Sequence, residues 1–241
     1  MSGFKISIDP GHGGQDPGAV GNGLFEKDIN LTISLEVARL LRSVGQTVVL
    51  TRDTDRFIDL IPERAPAADI SVSVHVNSGG GQGLETWVSL FNKPDESKRL
   101  GQAIQSGILQ LVPFKDRGLK SKKNSAGNND YLYMIRKPLG VAVLVECGFI
   151  DSPVDAEILR QKENLTKIAA GIANGILRYL GKESSIVEDW MKELGEESID
   201  YLVTQGLIKD PEYWKGKIAE SNIPYWLFWL ILKRIDERRA Q

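Results

Sequence analysis

Short apolar runs rich in β-branched residues alternate along most of this chain with segments of helical periodicity, and this alternation limits the fold more than any other feature. The runs are FKISI (Phe4 to Ile8), TVVLT (Thr47 to Thr51), DISVSV (Asp69 to Val74), LETWVSLF (Leu84 to Phe91), YLYMI (Tyr131 to Ile135) and VAVLVE (Val141 to Glu146). The helix-like segments are Asp28 to Val44, Ser97 to Leu111 and Ala156 to Leu180. In the first of these, Ile33, Val37, Leu40 and Val44 fall on one face, Asp28 reads as the N-cap and Gly45 as the stop. Pro62 to Ala68 reads as a short helix or turn, and Lys115 to Asp130 as a polar loop. Strands alternating with helices predict an α/β fold, a twisted and mostly parallel sheet flanked by helices.

The pattern stops at Gly181 to Ser185, which reads as a linker. Beyond it, residues 186–241 carry four of the five tryptophans (Trp190, Trp214, Trp226 and Trp229) and read as three short helices. The expected organisation is therefore a domain over residues 1–181 and a small all-α domain over 186–241. Tryptophans in such a hairpin bury large apolar area whatever its role.

Composition excludes several classes. At 241 residues with 41% hydrophobic and 26% charged side chains, the chain is ordinary for a globular protein with a real core. A net charge of −2 gives no global attraction for nucleic acid. The one cysteine, Cys147, cannot form an intramolecular disulfide and reads as a small core residue. The longest apolar run, Ile223 to Leu232, is too short to span a bilayer and contains Pro224. The start, MSGFKISIDPGHGG, lacks the charge-then-apolar pattern of a secretory signal. A cytoplasmic product without an export signal is expected.

The chain has only two histidines, His12 and His75, and each sits just past the end of an expected strand. Glu146 directly follows the apolar run VAVLV, and Glu26 lies just before the first helix. If the strands are parallel, all four reach the carboxyl edge of the sheet, where open α/β sheets bind ligands. Two imidazoles and a carboxylate form a common catalytic zinc set with one position open to water. His12, Glu26 and His75 fit the ligand role, and Glu146 fits a proton acceptor that does not bind the metal. Each residue taken singly has a plainer reading: a surface histidine, or a helix-start carboxylate favoured by the dipole. The lysines of the 115–123 loop read as a solvated surface.

IDPGHGGQDPGAVG, LFEKDINL, LTRDTD, SVSVHVN, GLETW and VLVECGFIDSP stand in this order between Phe4 and Leu180. In this set and order the chain resembles zinc-dependent N-acetylmuramoyl-L-alanine amidases, the amidase_3 group of bacterial wall hydrolases and phage endolysins. The resemblance implies cleavage of the amide between N-acetylmuramic acid and L-alanine in peptidoglycan. It places zinc on His12, Glu26 and His75 and makes Glu146 the catalytic glutamate. The chain has HVN where the family usually has HAN or HAD. The short segment after SVHVN leaves no room for the autoinhibitory helix of some periplasmic members. Without an export signal, the wall would be reached after release by a phage holin or on mother-cell lysis. The tryptophan-rich tail resembles, more loosely, C-terminal segments of some lysins, implying wall attachment or a homodimer. A zinc peptidase or deacetylase acting on another wall bond would use the same metal set, and a silent wall-binding module is the non-enzymatic alternative.

Overall fold

The computed structural model describes residues 4–59, 61–182 and 186–218. In chain order its elements are β1 (Lys5–Pro10), β2 (Val20–Gly21), β3 (Leu24–Phe25), α1 (Glu26–Ser43), β4 (Thr47–Leu50) and α2 (Ile61–Arg64). There follow β5 (Ile70–Asn77), β6 (Leu84–Val88), α3 (Pro94–Leu109), β7 (Asp116–Lys120), α4 (Tyr133–Arg136) and β8 (Val141–Phe149). The last helices are α5 (Pro153–Arg160), α6 (Lys162–Tyr179), α7 (Ile186–Thr204) and α8 (Pro211–Ile218). The chain divides after Ser184 into two compact units.

The first unit is built on a six-stranded sheet of order β4-β1-β5-β8-β6-β7. Neighbours are parallel except β6 and β8, which run antiparallel. The mostly parallel sheet expected from the alternation is thus what forms. Ile6, Ile8, Val72, Val74, Val143 and Val145 on its central strands are fully buried. α1 covers β1, β4 and β5, α3 covers β6 and β8, and α6 packs against both helices. α6 and α3 meet closely: a Cβ on Gly171 would lie 2.6 Å from the Ile108 Cα. The chain leaves β1 toward β4 through α1, then returns to β5 on the other side of β1. That reversal makes the carboxyl ends of β1 and β5 the crevice of the sheet.

Several local expectations are corrected. α1 begins at Glu26, not after Asp28, and its N-cap is Phe25 without a side-chain bond. The loop ahead of it already satisfies the first amides: Glu26 N donates to Ala19 O (3.0 Å) and Lys27 N to Pro17 O (3.2 Å). Asp28 is therefore an exposed first-turn residue. YLYMI is not a strand; its last residues form α4. A short apolar run cannot be told from a helical turn by periodicity alone. The polar 115–130 segment contains an edge strand, β7, whose DRGLK sequence shows no alternation and which forms by pairing with β6. The helix expected over Ala156 to Leu180 is two, broken at Gln161, where the backbone is extended (ψ 115°).

Six residues link β5 to β6, with no helix among them. In the second unit, α7 and α8 are helical as expected; the third expected helix, with Trp226 and Trp229, lies outside the described residues. Trp214 donates its Nε1–H to Lys209 O (3.0 Å). No described helix is long and apolar enough to cross a membrane.

Candidate metal centre

The loop after β1 turns sharply over the sheet edge. Gly11 N donates to Val74 O (2.9 Å), so the loop starts bonded to β5. His12 then takes a left-handed conformation, φ 62°, which a non-glycine residue holds only under constraint. The constraint is two arginines. Arg64 Nη2 donates to His12 O (2.9 Å), and Arg52 donates to the carbonyls of Pro10 (3.1 Å), Gly11 (2.9 Å) and Lys27 (2.8 Å). Arg52 is 1% exposed, a buried cation whose hydrogen bonds go to carbonyls.

Two glycines let the backbone close on the site. A Cβ at Gly11 would fall 2.3 Å from His75 Cε1. At Gly18, φ 65°, it would fall 2.6 Å from Glu26 Oε2 and 2.7 Å from His12 Cδ2.

His12, Glu26 and His75 come together. His12 Nδ1 lies 2.8 Å from Asp16 Oδ2, which accepts its proton and leaves Nε2 turned toward Glu26 Oε2 at 3.3 Å. His75 Nδ1 lies 2.9 Å from Glu26 Oε1. The rings stand edge to face with centroids 5.1 Å apart. One nitrogen or oxygen from each residue lies within 4.8 Å of the others, a spacing one metal ion can bridge. Glu26 is further fixed by Ala19 N on Oε2 (2.8 Å) and by Val76 N (3.1 Å) and Asn30 Nδ2 (3.2 Å) on Oε1.

The protonation balance reports a strong local field. Burial pulls the His12 imidazole down, but the hydrogen bonds and charges of Glu26 and then Asp16 outweigh it and push it up to about 9. Burial raises the Glu26 carboxyl, yet its bonds to His12 and His75 prevail and hold it well below the usual carboxylate range. A pocket so anionic in character is one that a dication would fit.

Glu146 and His75 do not follow their strands, as expected from the sequence, but lie within them. They are register partners on β8 and β5, and Glu146 also faces Glu85 on β6. Burial pushes the Glu146 carboxyl up to about 7; His75 and His12 oppose this, while Glu26 and Glu85 add to it. Its Oε2 is buried without a hydrogen-bond partner among the described residues. A buried carboxyl oxygen left unpaired beside two imidazoles is poised for a proton. Cys147, next in the chain, is fully buried, and burial pushes its thiol up, as suits a core residue.

All four residues marked in the sequence thus reach one region. Asp16, Arg52, Arg64 and Glu85 were missed. Asp16, four residues after His12 in a tight loop, was the one with a readable signal.

Residues 6–178 match the model of the Amidase_3 family, N-acetylmuramoyl-L-alanine amidase. The chain belongs to this family. It is 40% identical over 185 residues to the uncharacterized protein YqiI of Bacillus subtilis, covering 74% of this chain and 86% of that one. It is 38% identical over 181 residues to the sporulation-specific N-acetylmuramoyl-L-alanine amidase of the same organism, covering 71% and 66%. Among solved structures, the N-acetylmuramoyl-L-alanine amidase AmiC2 of Nostoc punctiforme superposes with a TM-score of 0.64 at 36% identity, over 74% of this chain and 98% of that one. As a member of this family the chain is a peptidoglycan amidase.

Proposed function

We propose that His12, Glu26 and His75 hold a zinc ion and that Glu146 moves the proton during hydrolysis of the amide between N-acetylmuramic acid and L-alanine. The observation that carries this reading is the convergence of three ligand atoms beside a buried, unpartnered carboxyl oxygen. Zinc bound there supplies a Lewis acid for the lactyl carbonyl and lowers the pKa of water.

The chain's own groups supply the rest. Asp16 fixes the His12 tautomer, so that Nε2 is the nitrogen offered. Glu26 is oriented by three amide donors and stays anionic. Glu146 takes a proton from the attacking water and delivers it to the leaving alanine nitrogen, two tasks that suit a carboxyl poised near 7. For the second unit we carry the division at the linker into function: residues 1–181 cut, and 186–241 serve wall attachment or dimerisation.

The test is metal content measured beside turnover. Glu146→Gln should keep a full equivalent of zinc and lose turnover by about 10²- to 10⁴-fold. His12→Ala and His75→Ala should lose the zinc itself. Full zinc retention in either histidine variant contradicts the ligand set, and zinc loss in Glu146→Gln makes that residue a ligand.

A further inference from the structure

The row of charged residues that runs through His75 and Glu146 continues away from the histidines. Glu85 on β6 is the register partner of Glu146 and is 3% exposed. On β7 the register shifts between the pairs Leu84–Asp116 and Thr86–Leu119, so Glu85 meets the bulged stretch at Arg117 and Gly118. Arg117 Nε donates to Glu85 Oε2 at 2.6 Å. Its guanidinium also stacks on the Phe149 ring, 4.7 Å from the centroid. Glu85 Oε1 accepts from Asn77 Nδ2 (3.1 Å) and Trp87 Nε1 (3.2 Å). A buried carboxylate fixed by two further donors, Asn77 and Trp87, thus holds one arginine in place.

That arginine has capacity left. Among the described residues only its Nε has a hydrogen-bond partner; Nη1 and Nη2 have none. Arg117 lines an open groove of ≈ 490 Å³ together with Lys115, Gln82, Gly80, Asp151 and Ser152. Asp151, the acidic group there, accepts from Gly79 N (2.8 Å) and Gly80 N (2.7 Å). The groove therefore offers two cations, Arg117 and Lys115, and its one carboxylate is engaged by backbone.

We propose that Arg117 is a specificity-determining residue that binds a carboxylate of the substrate's peptide, on the leaving-group side of the scissile amide. This rests on the amidase reading above. Glu146 lies between the histidines and Arg117, and the nitrogen that Glu146 protonates belongs to the leaving peptide. A peptide that continues from Glu146 along the row, away from the histidines, reaches β7. Two strand spacings separate β8 from β7, about 10 Å. A peptide spans about 7 Å from the alanine nitrogen to a carboxylate on the next residue, and the arginine arm covers the remainder. The fitting group is the α-carboxylate left exposed when a glutamate follows alanine through its side-chain carboxyl. The two terminal nitrogens of a held guanidinium match a carboxylate in a fork.

The test compares two soluble muropeptides that differ only at that group, one with the free α-carboxylate and one with its carboxamide. The readout is the ratio of kcat/KM for the two, which cancels the fraction of correctly folded, zinc-loaded enzyme. The wild type should prefer the carboxylate by about tenfold or more. Arg117→Gln should bring the ratio near one, and Arg117→Lys should fall between. The double variant Glu85→Gln/Arg117→Gln, which removes the Glu85 charge together with its arginine partner, should also give a ratio near one. An unchanged ratio in Arg117→Gln, or no preference in the wild type, overturns the subsite and leaves the amidase reading standing. Cleavage of neither substrate by the wild type overturns that reading and the subsite with it.

Discussion

His75 and Glu146 stand opposite each other in register on the adjacent parallel strands β5 and β8. Side chains alternate between sheet faces, so a slip of one residue would carry one of the two away from the other. The ladder that builds the core thus also sets the distance between the proposed metal ligand His75 and the proposed proton carrier Glu146. The buried Glu146 carboxyl has a measurable consequence. The fold raises it from its ordinary 4.5 to about 7, so the folded state favours the protonated form. Its stabilising contribution is present at low pH and is lost as pH rises through that window. In zinc-free protein, Glu146→Gln should match the wild type at about pH 4 and be more stable by about 1–3 kcal/mol above pH 7, a Tm gain of several degrees. Thermal melts across pH with a chelator present check this, and equal stability at pH 8 counts against it.

His12 should carry the pH dependence of zinc binding to a higher range than a surface histidine would give. Its imidazole is raised to about 9, so at pH 7 the zinc-free protein holds a proton that the metal must displace. Calorimetric zinc titrations in two buffers of different ionisation heat should show release of about one proton per zinc at pH 7. Zinc affinity should fall as the pH is lowered from 9. Affinity independent of pH between 6 and 9 would contradict the assignment.

Asp16 touches no proposed substrate atom, yet it fixes the His12 ring. Its side chain is 41% exposed, so replacing it should leave the fold intact. Asp16→Ala should weaken zinc binding by about 10- to 100-fold with an unchanged melting curve for the metal-free protein. Zinc competition against a chromophoric chelator reads the change.

Arg52 supports the loop from below through four carbonyl contacts, including Thr54 O at 3.2 Å. Arg52→Ala should cost about 2–4 kcal/mol of stability, because it removes four hydrogen bonds at once and empties the space of a buried side chain. Urea denaturation of the zinc-free variant measures it, and a loss under 1 kcal/mol would show that the loop holds His12 by other means.

The sheet was legible because β4 and β8 carry short apolar runs rich in β-branched residues, and β1 and β5 alternate such residues with small serines. The site was legible because two histidines and two glutamates follow apolar runs or precede a helix, positions that a parallel sheet gathers at one edge, although His75 and Glu146 lie within β5 and β8. What was not legible depends on tertiary partners. β7 is held by β6 and has no pattern of its own. Asp28 looked like a cap because nothing in the sequence shows that Ala19 and Pro17 already receive the first helix amides. The roles of Arg52 and Glu85 arise from contacts 41 and 32 residues away, with Gly11 and Arg117.

The most direct measurement is a digest of purified peptidoglycan with and without a zinc chelator, followed by zinc restoration, scoring new N-terminal alanine against new reducing sugar. The expected result is alanine release without reducing sugar, abolished by the chelator, restored by zinc, and absent in Glu146→Gln at every zinc concentration. New amino termini on a residue other than alanine, or alanine release that survives complete removal of the metal, would contradict it.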